Sequence, residues 1–165
     1  MGNRELRLVI SGTYSTGKTT TATALSIATG LPLIDALSAR EILTDLYPGR
    51  RFQDMSSTEL MALGLKRFEE RIRTEGILYK EHGSFLSDGS VLNEWIYGTV
   101  RMRVGINPGS AFIHRLMKSI LGIPGRRFFK KYLTAYGVVS KNHAKLWYTD
   151  VVHLPVEFAI DRKST

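Results

Sequence analysis

An α/β fold, with a central parallel sheet flanked by helices in a three-layer sandwich, is predicted by three features of the sequence. The apolar run Leu8-Val9-Ile10 leads into the glycine-rich stretch Gly12-Thr13-Tyr14-Ser15-Thr16-Gly17-Lys18-Thr19, and a helix-prone segment follows to Thr29. Apolar runs of strand length then alternate with segments of helical periodicity, the order that builds a parallel sheet with helical crossovers. At 165 residues, finally, the chain suits one domain with a full core.

Residues 5–11 form the first strand, apolar enough for a buried central position. Thr20 to Thr29 is a helix; Gly30 stands where a C-terminal cap belongs, and Pro32 prevents continuation. Leu31-Pro32-Leu33-Ile34-Asp35 follows as a short second strand, then Ser38 to Leu46 as a helix closed by Pro48-Gly49. The clearest helix begins at Ser56. Ser56 and Glu59 make a capping box, and Met55 with Leu60 makes a hydrophobic staple around it. Met61, Leu65, Phe68 and Ile72 recur at helical spacing as its apolar face, which leaves Lys66, Arg67, Glu69, Glu70, Arg71 and Arg73 for a solvated face. Gly83 to Asp88 holds a short strand that ends in a carboxylate, and a helix containing Trp95, Ile96 and Tyr97 runs from Val91 to about Arg101. After Asn107-Pro108-Gly109, Phe112 to Leu121 gives another amphipathic helix, and Arg126 to Tyr136 is helical before Gly137. Residues 109–137 as a whole read as an insertion or a substrate region. Trp147 to Leu154 is apolar and β-rich, a further central strand stopped by Pro155.

The stretch Gly12 to Thr19 has the form G-x-x-x-x-G-K-T between a strand and a helix, the context in which this P-loop (Walker A) pattern binds phosphate. Its glycines let the backbone turn tightly and bring N–H groups against phosphate oxygens. The candidate nucleotide-binding residues are therefore Gly12, Thr13, Tyr14, Ser15, Thr16, Gly17, Lys18, Thr19 and Thr20. In such a loop the lysine, Lys18, reaches the β- and γ-phosphates, and the hydroxyl of Thr19 holds Mg²⁺. The helix that follows aims its positive end at the same phosphates. ATP and Mg²⁺ are the expected cofactors.

Asp88, at the carboxyl end of a strand, is the candidate second carboxylate, on the Mg²⁺ side or as the base; ligands of open α/β sheets gather at that edge. The competing role for an Asp there is to cap the helix that follows. An oligomeric ATPase usually carries Asp-Glu at this point, whereas Asp88 precedes Gly89 and Ser90, and no Asn-Lys-x-Asp motif of a GTPase occurs. A small phosphotransferase acting on a substrate hydroxyl fits best. The four histidines stand at unrelated spacings and read as surface or core residues, and no metal cluster is visible beyond Mg²⁺ held with nucleotide.

The absence of cysteine excludes disulfides, thiolate zinc sites and a cysteine nucleophile. Met1 to Arg7 is too polar for a signal peptide and no apolar run reaches spanning length, so a soluble cytoplasmic protein is expected. The net charge of +8 is unevenly placed: the interval between Glu94 and Asp150 holds no acidic residue but ten Lys and Arg, among them Arg101, Arg103, Arg126, Lys130 and Lys131. Such asymmetry points to an anionic partner. Arg101, Arg103 and Arg126 are candidates to face the cleft, the rest forming a solvated face. Phe128, Phe129, Tyr132 and Tyr136, interleaved with these charges, permit base stacking but have the spacing of a helix core.

The chain resembles the nicotinamide-riboside-kinase-like, NadR-type AAA branch of P-loop ATPases. The resemblance rests on residues 12–20, Leu-Pro-Leu-Ile at 31–34, Ala-Arg-Glu at 39–41, Phe-Leu-Ser-Asp at 85–88, Trp-Ile-Tyr-Gly at 95–98 and Tyr-Thr-Asp-Val-Val-His-Leu-Pro at 148–155. It implies ATP·Mg²⁺, a five-stranded core and phosphorylation of a ribosyl or similar hydroxyl. It further implies that Asp88 orients the attacking hydroxyl, that Arg40 lies near the substrate pocket, and that Arg162 belongs to a mobile lid. Four strands are countable where such a core has five, which means either a minimal version of the fold or, the favoured expectation, a further C-terminal helix and strand past Thr165. The function that follows is an ATP-dependent kinase of a nucleoside-like or other small molecule. The alternative is a nucleotide-switched ATPase or binding protein that uses the basic region 101–145 on nucleic acid, an anionic membrane or an acidic protein.

Overall fold

A computed structural model describes residues 5–13, 16–104 and 123–156. Strand β1 (Arg7–Gly12) lies between β2 (Phe85–Asp88) and β3 (Asp150–Leu154), and both pairings are parallel. The register sets Ile10 beside Asp88 on one flank and Gly12 beside Leu154 on the other. Around the sheet run α1 (Lys18–Thr29), α2 (Ala39–Leu46), α3 (Ser57–His82), α4 (Val91–Val104) and α5 (Ile123–Trp147).

Strand alternation sorts the helices into layers. Ile10 and Leu86 form one buried cluster with Ala22 of α1, joined by Leu8 and Leu25. The intervening residues face the other way: Phe85 lies 6.4 Å from the Trp147 ring of α5, and Ser87 meets Arg71 of α3. The result is α1, then the sheet, then α3 to α5, the three layers the sequence predicts. A second cluster, Ile42, Leu43, Met55 and Leu63 with Tyr47, Phe52 and Leu60, fastens α2 to the start of α3. The Ser56–Glu59 capping box is present, and Ser38 with Glu41 makes another at α2. Among the described residues no helix is long and apolar enough to cross a membrane.

Several elements depart from their sequence reading. The second strand over Leu31–Asp35 contracts to a parallel bridge between Leu33 and Leu86, flanked by bonds from Ile34 N–H to Leu86 O and from Leu86 N–H to Pro32 O, both 2.8 Å. Pro32 has no N–H to give, so the ladder cannot extend through it. β3 is not central: among the described residues it has β1 as its sole partner, and Val151 is 59 % exposed. An apolar run marks a strand without revealing what covers it. Of the region 109–137, the helix expected over Phe112–Leu121 lies outside the described residues, while Ile123 onward is continuous with α5.

The faces of α3 also differ. Leu65 is exposed, Leu63 is buried, and Arg67, Arg71 and Glu75, one turn apart, point inward. Arg67 Nη2 pairs with Glu94 Oε1 at 2.6 Å. Glu75 is fully buried, accepts from Tyr148 OH at 2.8 Å and lies 3.2 Å from His143 Nε2. Glu70 is buried as well, between Lys66 and Arg73. Periodicity places charges outside by default; here each buried charge has a partner on its own or a neighbouring element, which offsets its desolvation.

Gly137, expected to end a helix, sits in the middle of α5, which runs for 25 residues. The Trp95 indole of α4 lies over it and donates its N–H to Leu133 O at 2.9 Å. A Cβ built at Gly137 would stand 2.5 Å from Trp95 Nε1 and 2.6 Å from Cε2. Glycine here is a site of close approach, not a break. Gly137→Ala gains about 1 kcal/mol of helix propensity but must displace a rigid, hydrogen-bonded indole, an overpacking cost of about 1–3 kcal/mol. The variant is expected to unfold several degrees below the parent in a thermal melt; a midpoint equal to or above the parent's would show that the indole has room to shift.

Candidate functional site

β1 delivers the chain to the carboxyl edge of the sheet at Gly12, whose φ is 155°. A Cβ there would lie 2.7 Å from Thr16 Oγ1 and 2.8 Å from Leu154 O, so the loop can close over β3 only with glycine. Thr16 Oγ1 donates to Thr13 O at 3.0 Å, and the Lys18 ammonium donates to the same carbonyl, which folds the loop across its own base. Gly17, left-handed with φ 77°, caps α1 without a side chain, and the first turn of α1 carries no acidic residue. The helix thus brings no carboxylate of its own to compete for its first-turn amides and positive end, which favours binding an anion there. Thr20 is exposed in that turn; Tyr14 and Ser15 lie outside the described residues.

Thr19 Oγ1 donates to Asp88 Oδ2 at 2.5 Å, joining the start of α1 to the end of β2. Pleating explains the meeting: Leu86 and Asp88 share the face toward α1. The helix after β2 is capped elsewhere. Ser90 Oγ accepts from Leu92 N–H at 3.2 Å, and Tyr148 OH accepts from Val91 N–H at 3.3 Å. Burial, and then the Glu75 carboxylate, hold the Tyr148 phenol well above its ordinary pKa, so it stays a neutral donor to Glu75.

Sequence reasoning missed the support behind Asp88. Arg71 Nη1 donates to Ser87 Oγ at 2.8 Å, and its two terminal nitrogens reach Gly89 O and Asp88 O at 3.4 Å each. The available signal was Ser87, a polar residue in an apolar strand, set by period two on the opposite face from Asp88. A cleft opens on that opposite face beside the P-loop strand, walled by Val9, Ser11, Ser90, Asn93, Tyr148 and Val151; neither Lys18 nor Asp88 lines it.

The candidate arginines are less determined. Arg40 is exposed in the first turn of α2. Arg101 and Arg103 fall in the last turn of α4 and Arg126 in the first turns of α5, their side chains outside what the structure describes, as is Arg162 altogether. Among the described residues no group of three or more His, Asp or Glu could hold an ion alone. A hydroxyl and a carboxylate converging at 2.5 Å do suit Mg²⁺, which takes one or two hard protein oxygens and completes its shell with phosphate and water.

No curated protein matches the chain. Among solved structures it is similar to a deoxyadenosine kinase from M. mycoides with bound dATP, at 12 % identity and a TM-score of 0.48, over 94 % of this chain and 93 % of that one. The sequence pattern of the AAA domain matches residues 7–162, which spans the P-loop, Asp88 and all three strands. The chain belongs to the AAA domain family and has the α/β fold of a P-loop NTPase.

Proposed function

We propose that the protein is an ATP-dependent small-molecule kinase, similar to the nicotinamide-riboside-kinase-like branch, that transfers the γ-phosphoryl group to a hydroxyl of a nucleoside-like substrate. The observation that carries this reading is the meeting of Thr19 and Asp88 at the mouth of the P-loop. Amides of the loop and of the first turn of α1 bind the phosphates, and Lys18 turns from the Thr13 carbonyl to the β- and γ-phosphate oxygens. Thr19 and Asp88 together face the metal that accompanies the nucleotide; bound there, Mg²⁺ neutralises phosphate charge. Asp88 also orients the acceptor hydroxyl and takes its proton as the oxygen attacks the γ-phosphorus. The bond from that phosphorus to the β–γ bridging oxygen breaks, and ADP leaves. Arg40, Arg101, Arg103, Arg126 and Arg162 are the cations available to the substrate or to the transferring group.

A second reading has one supporting observation. Arg127, Lys130, Lys131, Lys141 and Lys145 are all exposed along α5, a basic face that would suit a nucleotide-switched protein with an anionic partner.

Three outcomes are expected. Lys18→Ala removes a charged donor to the phosphates, worth about 1.5–3 kcal/mol, so calorimetry should show ATP·Mg²⁺ affinity lower by about 10- to 100-fold, with transfer nearly abolished. Unchanged affinity and turnover would end the P-loop reading. Asp88→Asn keeps the shape and loses the charge; turnover against a panel of nucleosides should fall by about 10²–10⁴-fold, further than nucleotide affinity falls, and a variant as active as the parent would leave Asp88 a structural residue. Neutralising Lys130 and Lys131 together should leave ATP binding intact. If instead that pair proves essential for binding DNA, RNA or anionic vesicles, with affinity falling steeply as salt rises, the switch reading replaces the kinase.

A further inference from the structure

The Asp88 carboxylate faces α1, yet the groups that hold its backbone come from the opposite side of the sheet. β2 is four residues long, and its last pairing sets Asp88 beside Ile10. One more main-chain bond, from Gly89 N–H to Ile10 O at 2.9 Å, follows. Past Gly89 the ladder to β1 ends, and side chains supply further bonds to the main chain at the end of the strand. Arg71 supplies them from the middle of α3. Its guanidinium donates to Ser87 Oγ at 2.8 Å, and Ser87 Oγ donates in turn to Gly89 O at 2.8 Å, a relay in which each bond polarises the next. Two longer bonds, 3.4 Å each, reach the carbonyls of Asp88 and Gly89.

The carboxylates that would otherwise claim this guanidinium are taken. Glu94 of α4 pairs with Arg67, one turn before Arg71 on the inner face of α3, at 2.6 Å, and Glu75, one turn after it, is held by Tyr148 and His143. Ser87 is fully buried, and Arg71 is partly so. The planar fork of arginine can span a hydroxyl and two carbonyls at once; an ammonium cannot hold the same three points in one plane.

From these contacts we infer that Arg71 is a positioning residue: it holds the end of β2, Ser87 to Gly89, from behind the sheet so that the Asp88 carboxylate meets Thr19 where the metal and the nucleotide phosphates bind. Arg71 touches neither, and acts through Asp88. The inference rests on the proposed role of Asp88, and it assigns to α3 a part in the site that its sequence hides.

The test is a calorimetric titration of Mg²⁺ into the protein with a non-hydrolysable ATP analogue, beside analogue binding in EDTA, so that no acceptor need be known. Outer-shell partners of a metal site typically alter affinity by about 10–100-fold. Arg71→Met is expected to raise the Mg²⁺ concentration for half-maximal tightening by about tenfold, with analogue affinity in EDTA within about threefold of the parent. Arg71→Lys should recover part of the loss, and it decides the matter if Arg71→Met does not fold. In the Asp88→Asn background, Arg71→Met should add nothing. Three results overturn the inference. If Asp88→Asn shifts the Mg²⁺ requirement and the Arg71 variants do not, Asp88 keeps its role and Arg71 loses its own. If Arg71→Met is as damaging with Asn at position 88 as with Asp, it acts on the fold in general. If Asp88→Asn itself changes nothing, both assignments fall together.

Discussion

The register of β1 against its two neighbours is the constraint on which the rest depends. Ile10 opposite Asp88 and Gly12 opposite Leu154 bring the glycine-rich loop, the last carboxylate of β2 and the end of β3 to one edge of one sheet. A slip of one residue would turn every side chain of β2 over. Asp88 would then point at α3, Ser87 at α1, and the 2.5 Å contact with Thr19 would be lost. The slip is opposed by burial. Val9, Ile10, Phe85 and Leu86 are each at most 1 % exposed, and they divide between two different helical layers, so neither strand can shift without exposing one residue and crowding another. Core residues outside the glycine-rich loop thus determine which face the Asp88 carboxylate takes.

The helical layer on the far side is polar where it meets the sheet. Arg67, Arg71 and Glu75 form an inward stripe on α3, answered by Glu94 from α4, by the end of β2, and by His143 and Tyr148 at the end of α5. Fully apolar packing would dispense with the desolvation these groups incur. It would also be indifferent to small rotations of α3. Directional bonds are not. They fix the helix about its own axis, and with it the guanidinium behind Asp88.

Local chemistry was legible in the sequence and cross-element chemistry was not. The P-loop, the strand before it and the helix after it show in the sequence because glycine spacing and an apolar run act within a few residues. The capping box at Ser56 and Glu59 shows for the same reason. Asp88 could be singled out because a carboxylate ending a short apolar run is rare and strand ends gather ligands. Arg71 could not: a charge on a long helix belongs on the surface by periodicity, and only the position of β2 reveals that this one faces inward. Gly137 likewise resembles a helix stop until Trp95, 42 residues earlier, is seen to need its space. Pro32 sits in a strand-like run, but its missing N–H tells against a ladder only once its neighbour is known to be Leu86.

Why three helices converge on so short a strand follows from where the ladder ends. Parallel pairing holds β2 through Asp88, and the next residue makes a single further bond to β1. A chain released there would leave the direction of its last side chain unset. Each neighbouring helix removes one freedom. Arg71 of α3 holds the turn from behind, Ser90 caps α4 and sets the direction in which the chain leaves, and Tyr148, just past α5, accepts from Val91 N–H while donating to Glu75. The last contact closes the set, because Glu75 lies one turn along α3 from Arg71. The turn behind Asp88 is thereby tied to α3 twice, directly through Arg71 and by way of α4 and Tyr148. The carboxylate at the end of a four-residue strand is held in direction by Arg71 of α3 and by Ser90 and Tyr148, which flank α4 and α5, all bonding at or just beyond the end of β2.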